Sequence, residues 1–337
     1  MAELSRRVAL GTLTAVPVAA ALTRLSPQPA LAQQAAQQAV QQPAGELRQA
    51  PGFYRLRVGD LVVTRLNDGV LPRPKPTEGF VRNASPQEVE AALRDAFLPT
   101  DTLPIPITFM AVQGGGRTIL LDAGTGGGIV PTADQGGRNI AAAGIEPAAV
   151  NMVVISHFHP DHIGGLVADD RPLYPNAEIL VPEAEWAFWM DDAAMSRAPE
   201  AMQGYFKLIR AIFGAYPEER IRRYAPGSDV APGVRAMAAP GHTPGHSVFL
   251  ITSGGRQLMV LSDTTNHPKL FVRNPGWHAV FDMDPTEAEA TRRRLLDRVA
   301  TDRVPVVGYH FPFPGIGHIQ RRGQGYEFEM AQWSPAL

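Results

Sequence analysis

The sequence predicts an α+β fold in which two β-sheets pack together with helices on their outer sides. Three observations carry that expectation. Strand-patterned segments fall into two groups, and helix-patterned segments follow each group, the order expected of layered sheets and helices. Residues 51 to 330 run without an internal linker or a fixed-period repeat, long enough for one large domain with a sizeable core. The chain contains 0 cysteines, so neither disulfides nor thiolates contribute to the fold.

The elements follow in order. Phe53–Val58 and Leu61–Leu66 alternate or run apolar around Gly59-Asp60, which predicts a hairpin closed by a short turn. Ile107–Val112 and Thr118–Leu121 flank Gly114-Gly115-Gly116 in the same way, so the N-terminal half opens as antiparallel sheet. Asn139–Ala143 fits a short helix and Met152–Ile155 a buried strand. Ala177–Val181 is a further strand, and Glu183–Met190 carries a helical pattern behind Pro182. Pro199–Ala215 is helical too, with Met202, Phe206, Ile209 and Phe213 near one face. Val234–Ala238, Val248–Thr252 and Gln257–Leu261 read as strands, the last pair turned by Ser253-Gly254-Gly255. Thr286–Ala300 is the clearest helix, charged on one side and presenting Ala290, Leu295, Leu296 and Val299 on the other. Val304–Val307 is read as a final buried strand.

Directly behind Met152-Val153-Val154-Ile155 stands His157-Phe158-His159-Pro160-Asp161-His162, in which four of six side chains can ligate a metal. A strand ending in such a cluster delivers imidazoles and a carboxylate to one point in space, which is how a zinc-type site is built. Three further candidates stand where strands give way to Gly- or Pro-containing loops: His242, Asp263 and His310. His246 is expected to brace a loop or orient a ligand. His267 fits either the cleft or a surface loop, while His278 and His318 read as structural. Trp186, Phe188, Trp189, Tyr205 and Phe206 suit either an apolar pocket wall or the core. Asp122-Ala123-Gly124-Thr125-Gly126-Gly127-Gly128 lacks the lysine expected of a phosphate cradle.

With the H-x-H-x-D-H motif unsubstituted at 157 to 162, the sequence resembles the metallo-β-lactamase fold superfamily. The resemblance implies an αββα sandwich of two mixed sheets and a centre for two divalent metal ions, zinc foremost. It implies His157, His159 and His242 on the first metal, Asp161, His162 and His310 on the second, and Asp263 bridging them. It also implies that Asp122 supports the centre without ligating. A narrower likeness, in Gly241-His242-Thr243-Pro244-Gly245-His246, Pro314-Gly315-Ile316-Gly317-His318-Ile319 and Leu66-Asn67-Asp68-Gly69, is to the methyl parathion hydrolase and lactonase-like branch. That likeness implies Trp189, Phe206 and Ile129 in the substrate pocket, with Ile129 where an aromatic can occur in the branch.

The expected chemistry is hydrolysis of a small apolar ester-like substrate: a lactone, an aryl ester or a phosphotriester. Two cations about 3.5 to 4 Å apart share a water and lower its pKa toward about 7, which supplies hydroxide at neutral pH. A β-lactamase is the alternative enzyme, separable by a nitrocefin assay. A non-catalytic exported metal- or ligand-binding protein would hold metal without turnover.

Ser5-Arg6-Arg7, the uncharged stretch Val8–Leu22 and Ala30-Leu31-Ala32 predict a twin-arginine-type export signal over residues 1–32, and therefore a periplasmic or secreted protein. Residues 33–50 read as a Gln/Ala-rich tether and 51–337 as the hydrolase domain. Cleavage after Ala32 removes Arg6, Arg7, Arg24 and Glu3 and leaves 28 basic against 32 acidic residues, a formal charge of about −4. No basic tract remains to neutralise a phosphate backbone, so nucleic acid is not an expected partner. A membrane anchor is not expected once the signal is gone, and the oligomeric state, a homodimer included, is open.

Overall fold

The computed structural model describes residues 49–335. The export signal and residues 33–48 of the tether lie outside the described residues.

Among the described residues, sixteen strands are arranged in two seven-stranded sheets and a two-stranded ribbon. The first sheet contains β1 (Phe53–Val58), β2 (Leu61–Pro74), β3 (Thr102–Gly114), β4 (Arg117–Leu121), β5 (Met152–Val154), β8 (Glu178–Pro182) and β9 (Ile221–Tyr224), in that spatial order. β1 to β4 pair antiparallel, and β4, β5, β8 and β9 pair parallel. The ribbon is β6 (Val167–Ala168) with β7 (Arg171–Pro172). The second sheet runs β10 (Asp229–Ala231), β11 (Val234–Ala238), β12 (Ser247–Ser253), β13 (Arg256–Val260), β14 (Val306–Val307), β15 (Ile316–Arg322) and β16 (Gly325–Met330), antiparallel except for β13 with β14.

Side-chain alternation along these strands builds three packed layers. Between the sheets, Val63, Met110, Val112, Leu121 and Val154 of the first meet Ala236, Phe249, Ile251 and Val260 of the second. On the outer face of the first sheet, Ala111, Leu120, Val153 and Ile179 pack with Phe206, Ile209 and Phe213 of the helix Glu200–Gly214. On the outer face of the second, Val248 and Met259 pack with Leu295, Leu296 and Val299 of the helix Pro285–Asp302. The expected sandwich of two mixed sheets with outer helices is the observed architecture.

The structure corrects several boundaries. Val304–Val307 is not the last strand: pairing there is confined to Val306–Val307, and β15 and β16 follow. Their outward positions carry Gln320, Arg322, Glu327 and Glu329, and Arg321 on the helix-facing side pairs with Asp297, so polar residues mask the apolar alternation. In the helix Pro285–Asp302 the buried side includes Ala288, Thr291 and Arg292, whereas Ala290 is exposed. The helix Pro86–Asp95 escaped the sequence reading, although Ser85 and Glu88 form a reciprocal capping box at its start.

Candidate metal centre

Five loops leave the C-terminal ends of β4, β5, β11, β13 and β14 and meet at one edge of the sandwich. They carry, in turn, Asp122, the 157–162 cluster, His242, Asp263 and His310. Local backbone requirements place them there. Gly241 has φ +115°, and a Cβ on it would lie 2.1 Å from Ala288 N, so only glycine lets the His242 loop rest on the helix Pro285–Asp302. The loop of His310 is pinned by buried Arg65, which donates to Gly308 O at 2.6 Å and Pro314 O at 3.3 Å.

All seven residues expected as ligands converge. His159 Nδ1 lies 3.1 Å from His157 Nε2 and 3.0 Å from His242 Nε2. Asp161 Oδ2 is 3.6 Å from both His162 Nε2 and His310 Nε2. The Asp263 carboxylate stands between these groups: Oδ1 is 3.2 Å from His162 Nε2, while Oδ2 is 2.9 Å from His310 Nε2 and 3.4 Å from His242 Nε2. The ligand atoms form three overlapping clusters, His157/His159/His242, His157/His162/Asp263 and Asp161/His162/His310, each within 4.8 Å.

The outer nitrogens of four imidazoles are committed elsewhere. His242 Nδ1 is 2.9 Å from Asp282 Oδ1, His162 Nδ1 is 2.9 Å from Asp122 Oδ2, and His310 Nδ1 is 2.8 Å from Pro106 O. Carboxylates and carbonyls only accept, so these Nδ1 atoms each carry a proton, and the rings turn their Nε2 atoms toward the centre. His157 Nδ1 is held by Ser156 Oγ at 3.0 Å. Such outer partners set ligand orientation in metal sites.

Burial pushes His157 and His159 well below the ordinary histidine range, and neighbouring imidazoles push the same way. Burial also opposes the charge on His162 and His310, but Asp263 and Asp161 outweigh it and hold both above that range. Desolvation would raise the Asp263 carboxyl; His310 and His162 overcome it and hold it well below the carboxylate range. His162 Nε2 and Asp263 Oδ1 are buried without a hydrogen-bond partner. Five imidazoles and two carboxylates facing one point, with orphaned atoms among them, fit a divalent-cation site.

His246 links the loop of His242 to Asp263: Nδ1 donates to Ala239 O at 2.7 Å, and Nε2 accepts the Asp263 N–H at 3.0 Å. Burial lowers its pKa to about 3, so it stays the neutral acceptor this geometry requires. Asp122 takes the supporting position, accepting from Ser156 N at 2.7 Å as well as from His162. His278 pairs with Glu289 and His318 lies on exposed β15 positions, both away from the centre. His267 is neither on the surface nor in the cleft wall; it is buried at the start of the turn Pro268–Val272.

A cleft of about 600 Å³ opens over His159, Asp161, His242, Asp263 and His310. Its other walls are largely apolar, with Leu71, Ile129, Trp189, Met202, Tyr205 and Leu208, and also carry Arg82, Asn266 and Asp282. Trp189 and Ile129 therefore line the cleft. Phe206 does not: it is fully buried behind Trp189, ring centroids 4.7 Å apart, because its helical position faces the sheet. Trp186 and Phe188 likewise stay out of the cleft. Asp282, Ser156 and Tyr309, whose ring stacks on His162 at 3.7 Å, were missed. Asp282 stands 40 residues from His242, while Ser156 and Tyr309 adjoin His157 and His310 but carry no pattern that tells what they touch.

The chain belongs to the metallo-β-lactamase superfamily, whose family model matches residues 102–310. An N-acyl homoserine lactonase of a Bacillus species is 27% identical over 164 residues, 49% of this chain and 56% of that protein, so the chain spans little more than half of this curated relative. A probable metallo-hydrolase of Mycobacterium tuberculosis is 27% identical over 139 residues, covering 40% of this chain and 43% of that protein. Among solved structures, the dizinc quorum-quenching lactonase AidC superposes with a TM-score of 0.79 at 25% identity, covering 84% of this chain and 98% of its own. The hydrolase AbOPH superposes at 0.81 with 26% identity, covering 85% and 100%.

Proposed function

We propose that this protein is a dinuclear metal-dependent hydrolase of small apolar esters, with lactones the leading class. The observation that carries the reading is the convergence of seven ligating side chains, with Asp263 between two groups of three, on the floor of an apolar cleft. The lactonases among its relatives support the lactone preference.

His157, His159 and His242 would hold one cation and Asp161, His162 and His310 the other, with Asp263 shared; zinc suits this donor set. When bound, a cation pair supplies Lewis acidity toward the oxygen under attack and acidifies a coordinated water. The chain's own groups do the rest. Asp122, Asp282, Ser156 and the Pro106 carbonyl hold four imidazoles with their Nε2 lone pairs inward. His246 fixes the backbone of Asp263. Trp189, Ile129, Met202 and Leu208 bury the apolar part of the substrate and exclude water from the reacting end. Aryl esters and phosphotriesters fit the same walls and stand behind lactones.

The export signal and a periplasmic or secreted location belong to the proposal, supported by the N-terminal sequence. No helix among the described residues is long and apolar enough to cross a membrane.

The test is a panel of lactones, aryl esters, phosphotriesters and β-lactams on zinc-loaded protein, with chelated protein and His159→Ala as controls. Turnover of lactones that chelation and His159→Ala both abolish is expected. Undiminished turnover in either control would remove the metal mechanism, and β-lactam turnover alone would reassign the substrate.

A further inference from the structure

Glu185 is a carboxylate with 0% exposure on the helix Glu183–Trp189, and no basic side chain pairs with it among the described residues. Isolated buried carboxylates are costly, so its surroundings need an account. Oε2 accepts the Phe158 N–H at 3.0 Å and the Trp189 indole N–H at 2.9 Å; Oε1 accepts the Gly245 N–H at 2.7 Å. Burial raises its pKa, opposed by the donors of Gly245, Phe158 and Trp189.

The three hydrogen bonds come from three places. Phe158 separates His157 from His159. Gly245 lies in the loop of His242 and His246. Trp189 is a cleft wall. The loops also press onto this helix: a Cβ on Gly245 would lie 2.4 Å from Glu185 N. His157, His159 and His242 are the three members of one ligand cluster; Asp161 and His162 follow on the same loop but lie beyond His159 on the helical turn Pro160–Ile163, and none of the three contacts falls there or in a loop that supplies His310 or Asp263.

We propose that Glu185 is a positioning residue that ties together the two loops supplying His157, His159 and His242, and so sets the spacing of one metal position, not both. This rests on the metal-dependent hydrolase reading above. A carboxylate suits the task because its two oxygens offer lone pairs in several directions and it needs no donor in return. Glutamine keeps the volume but turns one oxygen into an amide donor facing N–H groups.

The test is a zinc titration against a competing chelator, with Glu185→Gln and Trp189→Phe beside the parent. Glu185→Gln is expected to weaken one of two zinc equivalents by about 10–100-fold, the scale of outer-partner loss at metal sites, and to leave the other unchanged. The equivalent it retains is the one lost on adding Asp161→Ala. Trp189→Phe removes one donor, keeps both loop contacts and should bind both equivalents like the parent. Parental binding of both equivalents by Glu185→Gln overturns the proposal. So does equal weakening of both equivalents, equal weakening in Trp189→Phe, or a Glu185→Gln chain that never folds with zinc present, which would assign Glu185 to the fold instead. If the parent itself takes up no zinc, the hydrolase reading is what fails.

Discussion

Asp282 Oδ1 lies 2.9 Å from His242 Nδ1, and the same carboxylate accepts from the buried Arg292 guanidinium through its other oxygen at 3.0 Å. One side chain thus orients a candidate ligand and neutralises an interior cation. Asp282→Ala should destabilise the protein by about 3–5 kcal/mol, because Arg292 is left charged and unpaired. It should also weaken zinc binding by about 10–100-fold. Adding Arg292→Met should return stability but not zinc affinity, read by urea unfolding and chelator competition. Recovery of affinity as well would reduce Asp282 to a counter-ion.

Asp122 adopts φ +60°, which asparagine tolerates, so Asp122→Asn isolates hydrogen bonding from backbone strain. The carboxylate accepts from Ser156 N at 2.7 Å, Ser156 Oγ at 2.9 Å and His162 Nδ1 at 2.9 Å. An amide NH2 must face one of these donors. We expect unchanged circular dichroism and zinc affinity lowered by about 10–100-fold. Parental affinity would mean that the stacking of Tyr309 suffices to place His162.

Phe206 and Ile129 separate core from cleft. Phe206→Ala removes a fully buried ring and should cost about 3–5 kcal/mol in chemical denaturation. Ile129 is 38% exposed on the cleft rim, so Ile129→Ala should change stability by less than about 0.5 kcal/mol while raising KM for an apolar lactone. A large stability loss at Ile129 would contradict its place on the rim.

The helix Pro86–Asp95 offers a pH prediction. The Ser85 hydroxyl and backbone N–H hold Glu88 below its ordinary value of 4.5. A depressed carboxyl stabilises above its unfolded pKa, and that contribution is lost as pH falls through the folded one. Hydrogen exchange should therefore show the first turn of this helix losing protection below pH 4.5, with less change in Glu88→Gln. Uniform protection across that range would show that the capping box contributes little.

The sequence by itself determined the layered sheets and singled out the candidate ligands, since strand patterns and the 157–162 cluster are written locally. Apolar alternation marks β11, which buries one face, a continuous apolar run marks β12, which is covered on both, and the 157–162 cluster is legible because its members are neighbours on one loop. Even the helix at 86 was signposted by Ser85-Pro86-Gln87-Glu88. Only the tertiary structure decided which groups hold those ligands in place. Asp282 reaches His242 across 40 residues, Asp122 reaches His162 across another 40, and Pro106 reaches His310 across 204. It also decided that Trp189 faces the cleft while Phe206, on the helix Glu200–Gly214, packs behind it. Hydrogen-bond partners and pocket walls arise from how separate loops and helices meet, and that meeting has no period in the chain.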